Sequence, residues 1–468
     1  MAMMKNKYFD LIKQTFNFPQ EGFDVADNNL NFNDIPLMDI IKQYGTPLKI
    51  TYLPKIGSQI EKAKRMFKVA MAKADYKGSY TYCYCTKSSH FSFILEEVLK
   101  NDVHIETSSA FDIQIFKELH KNGLVNKEMS IICNGYKREN YQKNITDLAN
   151  DGFNVMPILD HKGEIDYYKK NVKQKTKIGI RIASEEEPSF EFYTSRLGIR
   201  YKEIVDFYKE KIQGDPKLEL KMLHFFINTG IKDSIYYWTE LAKCMKVYAD
   251  LKKICPELDS LNIGGGMPIR TSLGFEYDYE YIVEEIISQI KTYSKQYKIK
   301  EPNIFTEFGS FTVGESGAAI YSVVDQKNQN DREKWYMIDS SFITTLPDTW
   351  GINQRFILLA INKWDTEYQR VNLGGLTCDS MDFYNTEAHA NQVFLPKIEK
   401  EGDDEPLYIG FFHTGAYQES LSGYGGIQHC LIPAPKHVIV DRDENGEIVT
   451  KLFAKEQSYK SMLKTLGY

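Results

Sequence analysis

Residues 80–123 read YTYCYCTKSSHFSFILEEVLKNDVHIETSSAFDIQIFKELHKNG. A short β-rich run, Tyr80–Thr86, leads to Lys87. A second run, Val103–Glu106, closes on a carboxylate and gives way to a stretch of helical period from Ala110. There Ile113, Phe116 and Leu119 share one face, and Gly123 stands where a helix should stop. This is the signature of a strand–helix repeat in which each strand ends on a residue able to do chemistry.

The repeat continues in both directions of inference. Further β-rich runs are Ser130–Cys133, Phe153–Pro157, Lys177–Ile182, Leu218–Phe226, Asp259–Ile263 and Asn303–Thr306. Helical patterns lie between them, as at Asp233–Lys253 and Asp278–Lys295. Eight such units close a parallel barrel, so the sequence predicts an α/β fold built on a (β/α)8 TIM barrel, with an open doubly wound sheet as the alternative. After about residue 310 the character changes. Lys334–Asp339, Tyr408–Phe412 and His437–Arg442 are strand-like without long helices between them, which predicts a C-terminal antiparallel β domain. The expected division is an N-terminal segment 1–45 joining the β domain, a barrel over 46–310 and the β domain over 311–468. Lys327–Lys334 and Lys397–Glu405 read as solvated loops.

Composition narrows the function. The chain has 468 residues, 26% charged and 42% hydrophobic, which suits a two-domain globular protein. A net charge of -6 with no basic run argues against a nucleic-acid partner. No window approaches the ~18 apolar residues of a membrane span, and the start lacks a secretory apolar stretch. Seven cysteines without CxxC spacing suit reduced thiols in a cytoplasm, and the nine histidines show no HExxH spacing. No metal site is therefore expected.

A barrel carries its reactive groups at the C-terminal strand ends. Those ends supply Lys87, Glu106, Asn134, Asp160, Arg181, Phe226, Gly264–Gly266 and Glu307. A lysine facing a barrel mouth suits imine chemistry, although alone it reads more plainly as a solvated strand-end lysine. Gly264, Gly265 and Gly266 let backbone N–H groups approach a phosphate after the seventh strand; a plain turn is the equal alternative. Glu307 beside a pyridine nitrogen would keep it protonated. Arg181 lies in an apolar run and needs a buried partner. In the C-terminal part, Cys378 beside Asp379 suits a proton donor with a substrate anchor, or else a small buried hydrophobe. Tyr417 follows a β run and a glycine.

Together these segments resemble the fold-type III pyridoxal-phosphate (PLP) decarboxylases, which pair an alanine-racemase-like barrel with a β domain. YCTKSSH resembles the strand end with the cofactor-bonding lysine, here Lys87, and HIETSSAFDI the next strand and helix, with Glu106 and Asp112. LNIGGGMPI resembles the phosphate loop, and TEFGS the segment that sets a glutamate, Glu307, at the ring nitrogen. LTCDSMD resembles the cysteine–aspartate motif that reaches across a dimer interface, and GAYQ carries the matching Tyr417. IICNGYKREN, LPDTWGINQRF, GGLTCDS and HTGAYQES are similar to the arginine-decarboxylase branch. The resemblance implies pyridoxal 5'-phosphate as cofactor, an amino-acid substrate and a homodimer with shared active sites. It also implies decarboxylation of arginine to agmatine for polyamine synthesis.

Within that pattern the chain has its own residues. Phe226 stands where the family stacks a histidine on the cofactor, Thr229 where it has a phosphate-binding serine and Asn228 where it has a glycine. Ser310 replaces an arginine, and an extra helical insertion of the arginine branch is missing. Asn353 replaces an aspartate in WGIDQ. An amide both donates and accepts, which suits a neutral ureido group such as that of citrulline; a carboxylate suits a cation. Asp348, Asp379 and Asp382 remain for a cationic substrate, so arginine is expected first, with citrulline, ornithine or lysine as alternatives. A racemase on the same barrel and a catalytically dead regulatory homologue are the competing readings.

Overall fold

The computed structural model describes residues 18–185, 195–398 and 405–468. The chain forms two compact units. One comprises Gly57–Pro268 and Tyr277–Thr312; the other takes the residues up to Ile56 with Ile269–Glu276 and Val313–Tyr468.

The first unit is a closed barrel of eight parallel strands: β1 (Tyr80–Cys85), β2 (His104–Thr107), β3 (Ile131–Cys133), β4 (Val155–Leu159), β5 (Thr176–Ala183), β6 (Leu218–His224), β7 (Ser260–Asn262) and β8 (Asn303–Phe308). Each strand pairs with the next, and β8 returns to β1 from Ile304–Tyr80 to Phe308–Tyr84, so no edge is left open. Cys83, Ile132, Met156, Ile158 and Met222 pack together in one buried cluster.

The helices between strands follow their sequence signals. Ala110–Lys121 buries Ile113, Phe116 and Leu119. Ser109 accepts from the Asp112 N–H while the Asp112 carboxylate accepts from the Ser109 N–H, a reciprocal cap contributing about 1 kcal/mol. Gly123 then adopts φ +75°, as the stop requires. Ser234 caps Ile235–Lys252, and Asp278 caps Tyr279–Tyr297.

Three expectations are corrected. The helix after β8 is only Ser310–Val313. The helix beside β1 and β8 comes from the preceding segment, Leu53–Lys73, whose Phe67 ring stacks on Tyr80 at 4.2 Å and tilts against Phe308. Leu48–Tyr52 does not belong to the barrel: it pairs antiparallel with Gly317–Asn328 and parallel with Lys436–Arg442. The boundary therefore falls after Ile56 rather than at 45, and Ile269–Glu276 also leaves the barrel unit.

Third, the β unit is mixed rather than antiparallel throughout. Gly317–Asn328 pairs antiparallel with Lys334–Ile338, Tyr408–Phe412 and Leu48–Tyr52, but Lys334–Ile338 and Tyr368–Gly374 run parallel. Its core joins N-terminal Phe23, Leu30 and Phe32 to Phe411, Phe412 and Val438. The part of segment 1–45 before Phe18, and most of the polar stretch after Lys397, lie outside the described residues. No helix among the described residues is long and apolar enough to cross a membrane.

Candidate active site

The C-terminal mouth of the barrel holds a continuous hydrogen-bonded chain. Lys87 sits in a 3-10 turn, Thr86–Ser88, just past β1, and its Nζ pairs with Glu106 Oε2. Its side chain is 42% exposed and ion-paired, neither the free solvated lysine of the plainer reading nor a fully buried one. Glu106 is fully buried; its Oε1 accepts from Ser108 Oγ at 2.9 Å and from Asn134 Nδ2 at 3.0 Å. The same Asn134 amide donates to Glu307 Oε1 at 2.8 Å, and Asn262 Nδ2 donates to that oxygen at 2.6 Å. Two buried carboxylates are thereby held by one amide and a second amide, which meets the desolvation cost of each acid with directed donors. Asn134 was visible as a strand end; its bridging role depends on the register of β2, β3 and β8 and was not.

On the other side of the ring, Arg181 of β5 and His224 of β6 are register partners, as are His224 and Asn262 of β7. His224 is buried, and burial first, then the Arg181 guanidinium, pushes its pKa down to about 3. The imidazole is thus neutral, with Nδ1 3.9 Å from Glu307 Oε1. Sequence reasoning missed it and Asn262, although LHFF and LNIGGG place a polar residue at each strand end. Phe226 lies two residues beyond β6 rather than in it, with the Arg181 guanidinium 5.8 Å from its ring centroid.

Glycine is needed where the loops after β6 and β7 meet. Gly264 and Gly266 have φ +71° and +92°, and Gly230 φ +79°. A Cβ on Gly265 would lie 2.2 Å from the Glu307 carbonyl oxygen, and one on Gly230 2.5 Å from the Gly266 oxygen. Asn262 Oδ1 accepts from Gly264 N, and Ile231 N donates to Gly266 O, fixing the two loops together. Beside them Thr229 Oγ1 is buried with no hydrogen-bond partner among the described residues. A backbone cradle that no Cβ could enter, with an unmatched buried hydroxyl, fits a phosphate group. An amine, a buried carboxylate and an aromatic face on the same rim fit an aldehyde-bearing pyridine ring.

Other predicted residues are structural. Asp160 accepts from Gly198 N and Asp112 accepts from His90 as well as its cap. Lys137, in IICNGYKREN, is buried against Glu164 at 3.1 Å and caps the carbonyls of Gly135 and Ile158; burial pushes Glu164 up to about 7.

The β unit holds the rest. Cys378 and Asp379 are exposed, so Cys378 is not the small buried hydrophobe of the alternative reading. Cys378 Sγ lies 3.7 Å from Cys430 Sγ, and Asp379 Oδ2 lies 3.9 Å from His429 Nε2. Asp382 is buried and engaged by Phe342 N, Thr377 N and Thr377 Oγ1, which removes it from the candidates for a substrate cation. Asp348 accepts from Gln418 Nε2 at 2.7 Å, and burial raises its pKa. Asn353 is exposed in a left-handed conformation, φ +55°. Tyr417 is half-buried, also left-handed at φ +68°.

A closed parallel barrel with an amine, a buried carboxylate and a glycine cradle at its mouth defines a class, the barrel enzymes that hold a phosphorylated cofactor. The family model of the pyridoxal-binding domain of pyridoxal-dependent decarboxylases matches residues 57–314, and the chain belongs to that family. It is a PLP-dependent decarboxylase, and pyridoxal 5'-phosphate is its cofactor. Among curated relatives, a biosynthetic arginine decarboxylase of Prochlorococcus marinus is 22% identical over 93% of this chain and 85% of its own length. Among solved structures, the biosynthetic arginine decarboxylase of Campylobacter jejuni aligns with TM-score 0.80 at 20% identity, over 96% of this chain and 89% of that one. A diaminopimelate decarboxylase from M. jannaschi aligns with TM-score 0.77 at 16% identity, over 95% and 97%. These structures share the alanine-racemase-like barrel with its β domain.

Proposed function

We propose that the chain decarboxylates L-arginine to agmatine, feeding polyamine biosynthesis, as a cytoplasmic homodimer with shared active sites. The observation that carries the reading is the chain Lys87–Glu106–Asn134–Glu307–Asn262 at the barrel mouth. Arginine is favoured by the names of the relatives and by Asp348 and Asp379, which remain to meet a cation.

Bound pyridoxal phosphate supplies a sink for the electron pair released when the carboxylate leaves Cα. Lys87 would supply the amine that holds the cofactor at the mouth of the barrel. Glu307 holds a proton at the ring nitrogen, and Asn134 and Asn262 fix that carboxylate by donating to the same oxygen. Glu106 orients Lys87. Phe226 offers a flat apolar face, and Arg181 orients the ring oxygen. Gly265 and Gly266 would present backbone N–H groups, and Thr229 and Tyr417 hydroxyls, to the phosphate, while the Gly264 N–H is held by Asn262 Oδ1. Cys378, from the partner subunit, delivers the proton to Cα, and Asp379 with Asp348 holds the distal end of the substrate.

Asn353 supports a second substrate, citrulline, whose neutral ureido group an amide can both donate to and accept from. Purified protein assayed for CO2 release from arginine, citrulline, ornithine and lysine separates the readings. Arginine should have the highest kcat/KM. A preference for citrulline would move the substrate to the ureido class. Release from none of the four would overturn the reading.

A further inference from the structure

The expectation of no metal site rested on local spacing, and the fold brings together residues that spacing could not. Cys378 lies on one loop of the β unit and His429 and Cys430 on another, 52 residues along the chain. Cys378 Sγ, Cys430 Sγ and a His429 ring nitrogen all lie within 4.8 Å of one another, and all three residues are exposed. We propose that Cys378, Cys430 and His429 form a binding site for a soft divalent cation of the zinc type.

The geometry is that of a tetrahedron waiting for its centre. Zinc–thiolate bonds of about 2.3 Å put two sulfurs about 3.8 Å apart along a tetrahedral edge. The two Sγ atoms are 3.7 Å apart, well beyond the roughly 2.05 Å of a disulfide. Sulfur and imidazole donors select zinc-like ions over magnesium or calcium. The Asp379 carboxylate, 3.9 Å from His429 Nε2, adds negative charge beside the cluster, and the fourth position falls to solvent. Cys430 and Leu431 are both left-handed, φ +52° and +54°, a cost the local fold carries to present this turn. A divalent cation between the two thiolates offsets their mutual repulsion, and binding releases two thiol protons to solvent.

The consequence rests on the reading of Cys378 as the proton donor: a thiolate fixed on a metal has no proton to give, so the bound ion silences the decarboxylase.

The test is a Co2+ titration of the reduced holoenzyme, followed by difference absorbance, with Zn2+ as competitor. Expected are a sulfur-to-cobalt charge-transfer band and the visible bands of tetrahedral cobalt at one equivalent per chain. Zn2+ should displace them. Both should be lost in Cys430→Ser and weakened in His429→Gln, with thermal unfolding midpoints preserved. A wild-type protein without the charge-transfer band, or Cys430→Ser with it intact, overturns the site. Zn2+ inhibition of CO2 release, each protein scaled to its own metal-free rate, should be relieved in Cys430→Ser. A cobalt band without zinc inhibition upholds the site and instead removes Cys378 from proton delivery.

Discussion

The barrel mouth and the loop around Cys378 solve opposite problems. At the mouth, Glu106, Asn134 and Glu307 are buried and each is held by the next. Around Cys378 and Asp379 the side chains are exposed, while the residue that shapes the loop, Asp382, is buried beneath them. Preorganisation at the mouth is internal to the barrel unit. The loop presents Cys378 and Asp379 outward over the buried, hydrogen-bonded Asp382. Variants at the mouth should therefore change stability and activity together, and variants on the loop activity alone.

The largest effect is expected for Lys87→Ala. Turnover should fall by more than roughly a thousandfold and the yellow absorbance of the holoenzyme should vanish, since Lys137, the lysine in the loop after β3, is tied to Glu164 and two carbonyls. Circular dichroism should stay unchanged. Residual turnover within tenfold of wild type would place the chemistry elsewhere.

Gly265→Ala comes next. Its Cβ would meet the Glu307 carbonyl at 2.2 Å, so the loop must shift, at about 1–3 kcal/mol. Cofactor affinity, measured by fluorescence titration, should drop at least about tenfold. An unchanged affinity would detach the glycine loop from the phosphate.

Asn134→Ala and Cys378→Ser sharpen the contrast as a pair. The first strips one donor from each of two buried carboxylates, about 1–3 kcal/mol, and should lower the thermal midpoint as well as kcat. The second should lower kcat or divert reprotonation with the midpoint within about 1 °C, as for an exposed side chain. A larger loss of midpoint in Cys378→Ser than in Asn134→Ala would break the comparison.

How much of this was legible in the sequence depends on the range of the interaction. The eight strands were, because each apolar run is short and bounded by a helix whose stripe and cap are local, as at Ser109–Gly123. Leu48–Tyr52 was not: an apolar run before a helix reads the same whichever sheet it joins. Lys87, Glu106 and Glu307 could be picked out as strand ends. The Asn134 bridge, His224 and Asn262 could not, because strand register decides them. Cys430 lay too far from Cys378 in sequence for any spacing rule.

The smallest effect concerns pH. Burial first pushes His413 and His437 down to about 4 and His224 to about 3, so the folded protein keeps all three neutral. The unfolded chain takes up those protons below about 6.5, so stability is full above that pH and is lost as pH falls toward 4. His437→Gln, which retains a partner for Thr51, should flatten the dependence by up to one proton, about 1.4 kcal/mol per pH unit. Denaturant titrations between pH 4.5 and 6.5 read the slope, and an unaltered slope would mean that His437 titrates alike in both states.

The most direct test of the central claim is to reduce the holoenzyme with borohydride, digest it and map the phosphopyridoxyl label. The account predicts one label per chain, on Lys87. A label on another lysine, Lys137 included, or no label in a protein that still releases CO2, would contradict it.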